Sequence, residues 1–211
     1  RLQDWVRQYH QGVKGIDDGV GRLIATLKET GQLENTLVVF TSDQGFGWGQ
    51  HGFCRKIAPY DATLRSPMVV SMPGTIPTGE TCRRPVGGVD LVPTFFKYAG
   101  LKLPWKMHGH DLSPLLKDPR STREEPVLLT FTGRNYGSDT DQVPPDSASL
   151  DAGGVPWWVF LVKGRYKYIR SLVEGEMEEL YDLRKDPEEL TNLALDASHN
   201  RRLKRFRKAL V

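Results

Sequence analysis

Residues 41–56 read TSDQGFGWGQHGFCRK and bring Asp43, Gln44, His51 and Lys56 into one short stretch. A carboxylate beside a carboxamide offers hard oxygen donors, a ligand type suited to Ca²⁺ or Mg²⁺ rather than Zn²⁺. Lys56 adds a mobile ammonium that can grip a tetrahedral oxyanion. His51 adds an imidazole that can donate a proton or a hydrogen bond near neutral pH. Gly45, Gly47, Gly49 and Gly52 let the intervening backbone turn sharply and come close to a ligand. Each feature also has an ordinary reading. Asp-Gln-Gly after a strand commonly forms a turn in which the Asp bonds its own backbone; a lone lysine is a solvated charge and a lone histidine a packed or exposed one. It is the combination in one loop that points to a site.

The elements around the loop support that reading. Ile16, Val20, Leu23, Ile24 and Leu27 fall at helical spacing and predict a helix over residues 9–30, with Gly31 as its C-cap. The uniformly apolar run Leu37-Val38-Val39-Phe40 predicts a strand buried on both faces of a parallel sheet. Asp43 then stands just past the C-terminal end of a strand, where open α/β sheets form their sites. A second strand is expected over residues 67–72, then a loop, then a helix over 90–99 N-capped by Asp90 with Pro93 in its first turn. The order implies an α/β core over residues 1–125. After Pro126 the character changes. Strands are expected over 127–132, 157–162, 166–170 and 179–183, with a polar irregular loop over 134–156 and Gly164 in a turn. Residues 126–211 thus read as a small antiparallel subdomain. A terminal helix from about Ser198 closes it, docking Leu203, Phe206 and Leu210.

Composition narrows the classes. Lys and Arg total 29 against 26 Asp and Glu, a net charge of +3 that calls for no nucleic-acid partner. No apolar run approaches the roughly 20 residues a membrane span needs. Cys54 and Cys82 make neither a disulfide framework nor a paired metal motif. The chain opens Arg-Leu-Gln-Asp-Trp and reads as the back part of a longer or processed protein.

The stretch TLVVFTSDQGFGWGQHGFCRKIAPYDATLRSPMVV resembles the metal loop of the type I sulfatases, in the alkaline phosphatase superfamily. The matching pieces are Ser42-Asp43-Gln44-Gly45, Gly49-Gln50-His51-Gly52, Lys56, Tyr60-Asp61 and Arg65-Ser66-Pro67. The runs VDLVPTFFKYAGLKLP, HGHDLSPLL and ELYDLRKDPEELTNLA are similar to later parts of the same family, in the same order. The resemblance implies an alkaline-phosphatase-like fold. It implies a sulfuric ester hydrolase with Ca²⁺, or Mg²⁺, and a formylglycine nucleophile. It carries metal ligation to Asp43 and Gln44, and sulfate contact to Lys56. It gives His51 a supporting or substrate-contacting role. His108, in the loop MHGHD, becomes a substrate contact at the pocket rim. The implied partner is a sulfated small molecule or carbohydrate, and the implied compartment is secreted, periplasmic or lysosomal.

The chain departs from the family's pattern in places. Neither Cys54, Cys82 nor Ser71 opens a Cys/Ser-x-Pro/Ala-x-Arg nucleophile motif. His10 stands on the wrong helix for leaving-group protonation, and the paired aspartates that complete the metal site precede this segment. The chain alone is therefore expected to bind Ca²⁺ weakly and to be inactive. Two other readings stand beside this one: a phosphate or phosphonate ester hydrolase of the same superfamily, and a truncated, non-catalytic binding protein. Asp17-Asp18 reads as a solvated helix face, and Asp61 with Arg65 as an i, i+4 pair. One face of Trp157-Trp158 is expected in the core.

Overall fold

The structure is a computed structural model that describes residues 2–143, 155–173 and 175–210. Part of the irregular stretch expected over 134–156 lies outside the described residues. Helix α1 spans Leu2–Glu29, beginning well before the expected residue 9. Residues 2–8 contain no helix breaker, and Arg7 bridges back to Asp4 at 3.0 Å within the first turns. The helix ends in a Schellman arrangement: Gly31 takes φ 66°, the Gln32 amide donates to Leu27 O, and that of Gly31 to Lys28 O. Its apolar stripe is only partly covered, because Val20, Ile24 and Leu27 are half-buried while Ile16 and Leu23 are exposed. Asp18 pairs with Lys14 on the solvated side, as its position on the helix suggested.

Strand β1 is Val38–Thr41, followed by the short β2 (Gly47–Trp48) and β3 (Cys54–Arg55), the single-turn helix α2 (Asp61–Leu64) and strand β4 (Met68–Ser71). The expected parallel, doubly buried β1 is not what forms. β1 pairs antiparallel with β4, Val38 opposite Ser71 and Thr41 opposite Met68, and among the described residues every strand pairing is antiparallel. Phe40 and Val69 remain 39% and 59% exposed on this ribbon. Helices α3 (Leu91–Tyr98) and α4 (Ser113–Lys117) follow. Asp90 is more than the helix cap the sequence suggests. It is buried, its carboxylate accepts from the Gly87 and His110 amides, and Arg123 donates to it at 2.9 Å.

The second half forms one antiparallel meander of β5 (Val127–Phe131), β6 (Trp158–Lys163), β7 (Tyr166–Ser171) and β8 (Glu179–Asp182). Strand alternation sends Trp158, Phe160, Val162, Ile169 and Tyr181 to one face, where Phe53, Ile57, Tyr60 and Leu64 pack on them. Leu161, Tyr168 and Leu180 point to the other face and meet Leu203 and Phe206 of helix α5 (Asn200–Ala209), the docking expected for that helix. The sheet therefore lies between α5 and the segment containing the polar loop. Both Trp157 and Trp158 are buried, so neither offers an exposed ring for a sugar.

Candidate active site

The polar loop leaves β1 at Thr41, whose hydroxyl donates to Pro67 O at 2.9 Å and ties the strand end to the start of β4. Two residues on, the Asp43 carboxylate is fixed from both sides. Its Oδ1 accepts from the Gln44 amide at 2.9 Å and the Ser42 hydroxyl at 3.2 Å, and its Oδ2 accepts from Lys56 Nζ at 2.5 Å. Asp43 thus bonds the amide of the residue that follows it, and the lysine is paired with it. Lys56 donation first, and the Gln44 amide second, hold the Asp43 carboxyl below the usual carboxylate range. Both side chains are exposed, 68% for Asp43 and 42% for Lys56, so the pair can be reached from solvent.

Lys56 reaches Asp43 because the loop folds back on itself. Gly47 pairs with Arg55 and Trp48 with Cys54, and Gln50 Oε1 accepts from the Trp48 amide at 2.7 Å. Two glycines make this course possible. Gly49 turns the ribbon with φ 114°, a conformation that a side chain disfavours. At Gly45 an added Cβ would lie 2.7 Å from Ala62 O and 2.9 Å from Arg65 O. The close approach expected of the glycines is, at Gly45, made to the protein's own backbone. An open pocket beside Lys56 is lined by Phe46, Phe53, Arg55 and Ile57.

The other site candidates lie in different surroundings. His51 stacks on Tyr60 with ring centroids 3.7 Å apart and planes 3° from parallel, and its Nε2 lies 3.0 Å from Glu188 O. Since a carbonyl only accepts, Nε2 carries the proton. His51 is thus oriented by Tyr60 and by the Glu188 carbonyl of the second half rather than by Asp43 or Lys56. His108 is exposed, and its loop is anchored at Asp90 through the His110 amide; among the described residues no hydrogen bond joins it to the 41–56 loop. Asp61 does not pair with Arg65. It binds Lys167 Nζ at 2.9 Å, and Lys167, wholly buried, also meets Glu189 Oε1 at 2.7 Å. Glu189 Oε2 accepts from the Asp61 amide at 2.6 Å. Burial pushes the Glu189 carboxyl up, with Lys167 opposing.

As a donor set, Asp43 and Gln44 suit a hard divalent cation in type. They are two side chains where Ca²⁺ takes about six to eight oxygens. Among the described residues no group of three or more His, Cys, Asp or Glu is placed to hold a metal. No helix of the described residues is long and apolar enough to cross a membrane.

The sulfatase family profile matches residues 3–101. An N-acetylglucosamine-6-O-sulfatase of Bacteroides thetaiotaomicron is 28% identical over 221 aligned residues, covering 100% of this chain and 36% of the relative. A choline-sulfatase of Rhizobium meliloti is 31% identical over 192, covering 89% and 33%. A solved structure in complex with its substrate, D-glucosamine-2-N,6-O-disulfate, matches with TM-score 0.75 and 28% identity, over 94% of this chain and 38% of that one. The phosphonate monoester hydrolase of Agrobacterium radiobacter matches with TM-score 0.71 and 29% identity, over 92% and 38%. The chain spans 36% and 33% of these two sequence relatives. On its motifs, its site geometry and these matches, the chain belongs to the type I sulfatase family, with an alkaline-phosphatase-like fold and part of the family's length.

Proposed function

We propose that the chain is a section of a sulfuric ester hydrolase acting on sulfated carbohydrates, with Lys56 as its sulfate-binding ammonium. The observation that carries this is the Asp43–Lys56 contact just beyond β1, which presents an oriented cation beside an ionised hard ligand in solvent reach. Lys56 binds a sulfate oxygen and offsets charge that grows on the ester as its bond breaks. Asp43 keeps the ammonium aimed. His51 acts as a positioning residue, holding the turn before Lys56 against Tyr60 and Glu188. His108, exposed on its own loop, is the candidate for contact with the rest of the sugar.

In the same reading, Asp43 and Gln44 would supply two oxygens to a Ca²⁺ or Mg²⁺ ion. The remaining ligands, and a formylglycine nucleophile, would come from outside this chain. Such a cation, when bound, polarises a sulfate oxygen. The carbohydrate substrate is supported by the sulfated glucosamine bound in the related structure and by the Bacteroides relative, an N-acetylglucosamine-6-O-sulfatase.

The test uses the protein expressed from the complete reading frame that contains this chain. Glucosamine 6-sulfate and an aryl sulfate are compared with a phosphonate monoester, at equal concentration. Sulfate release that exceeds phosphonate cleavage is expected. Preference for the phosphonate would transfer the site to the hydrolase class represented by the Agrobacterium neighbour.

A further inference from the structure

Lys56 lies between two residues in left-handed backbone, Arg55 at φ 73° and Ile57 at φ 82°. A β-branched residue with positive φ is a genuine outlier. Such a conformation persists only where its surroundings over-determine it. On one side the ladder to Gly47 holds Arg55. On the other, Ile57 O accepts a 2.9 Å hydrogen bond from Trp158 Nε1. Trp158 is 2% exposed, and its indole stacks against Phe131 at 5.7 Å and Phe160 at 5.6 Å. Phe131 is also its cross-strand partner. A donor so confined cannot follow a carbonyl that drifts; it fixes where that carbonyl must be. The Ile57 side chain packs on the same cluster.

We propose that Trp158 is a positioning residue for Lys56: through the Ile57 carbonyl, the four-stranded sheet locks the left-handed turn that aims the ammonium at Asp43 and the anion. The inference rests on the reading of Lys56 as the anion-binding group. A buried indole needs an acceptor in any case, so a purely structural Trp158 is the alternative to exclude.

The complete protein is compared with Trp158→Phe, which keeps the aromatic stack and deletes the N–H. Two readouts are taken. One is the acetylation rate of Lys56 by mass spectrometry, with the exposed Lys204 and Lys208 as internal references. The other is kcat/KM on an aryl sulfate. Lys56 should acetylate several-fold faster with the references unchanged, and kcat/KM should fall about tenfold, the scale of one lost hydrogen bond. Adding Ile57→Asn supplies a residue that tolerates left-handed backbone without a clamp. The double variant should recover much of both readouts although its Tm drops further, because Ile57 packing is lost. A structural Trp158 gives no such opposition. If Trp158→Phe does not fold, Ile57→Pro, which forbids positive φ, should release Lys56 with Trp158 intact. Unchanged Lys56 labelling in a folded Trp158→Phe or Ile57→Pro protein overturns the proposal, as does a double variant with no recovery. A wild type without sulfate ester turnover refutes the functional reading instead, and the labelling still decides this one.

Discussion

Asp43 meets donors on both carboxylate oxygens, and the ammonium of Lys56 is the stronger influence on its proton. Its depressed pKa means that the native contacts favour the ionised form. Their contribution to stability is present above the ordinary aspartate range and fades as pH falls through the lowered native value. Because both partners are exposed, that contribution is small and the contact matters chiefly for orientation. Lys56→Ala should move the Asp43 midpoint upward toward the ordinary range, read by carboxyl carbon NMR; an unmoved midpoint would show the Gln44 amide to be the dominant partner. At this scale the sequence showed Asp43 and Lys56 plainly, since both sit in one loop of unusual composition. It could not show the bond from Trp158 to Ile57 or that from Lys167 to Asp61, which join residues 101 and 106 positions apart. An indole N–H and a strand lysine carry no mark of the acceptor they find.

The loop is an element only because other elements press on it. Gly45→Ala places a Cβ against Ala62 O and Arg65 O, backbone atoms that have little room to yield. It should destabilise the protein by about 1–3 kcal/mol in urea melts, as overpacking does. Deeper in, the single ammonium of Lys167 bridges the Asp61 and Glu189 carboxyls where α2 meets the sheet. Lys167→Met leaves two carboxylates beside an apolar side chain and should cost about 3–5 kcal/mol, with part recovered by adding Glu189→Gln. The raised Glu189 pKa has the opposite sense to that of Asp43. Stability from it is fully present below the unfolded glutamate value and is lost as pH rises through the native one, so Glu189→Gln should flatten that part of the stability–pH curve. The antiparallel pairing of the second half was legible in the sequence, with Gly164 turning β6 into β7; the pairing of β1 and the short elements β2, β3, α2 and α4 were not. The apolar run of β1 suggested burial on both faces in a parallel sheet. The strand buried on both faces is instead β6, in an antiparallel meander covered by α5 on one side and the loop segment on the other. An uninterrupted apolar run thus did not by itself fix burial: Phe40 of β1 stays 39% exposed, whereas residues 158–162 of β6 are buried throughout.

Across the whole molecule, the second half acts as the anvil on which the site loop is shaped, through Trp158, Lys167, Glu188 and Glu189. The first half keeps large apolar faces in solvent: Trp5, Tyr9 and Leu23 of α1 are 66%, 57% and 68% exposed. Patches of that kind are rarely left bare. The 211-residue chain by itself should therefore self-associate in gel filtration, and with two hard ligands it should bind Ca²⁺ weakly. Tight Ca²⁺ binding in isothermal titration would mean that the chain holds a site beyond Asp43 and Gln44. The most direct measurement is kcat/KM for an aryl sulfate, taken on the protein from its complete reading frame with Lys56 and with Lys56→Ala. Loss of an ammonium that meets the developing charge should lower it by about 10²–10³-fold, with melting temperature unchanged. A Lys56→Ala protein that hydrolyses the sulfate ester at the wild-type rate would contradict the assignment of this loop as the sulfate-binding site.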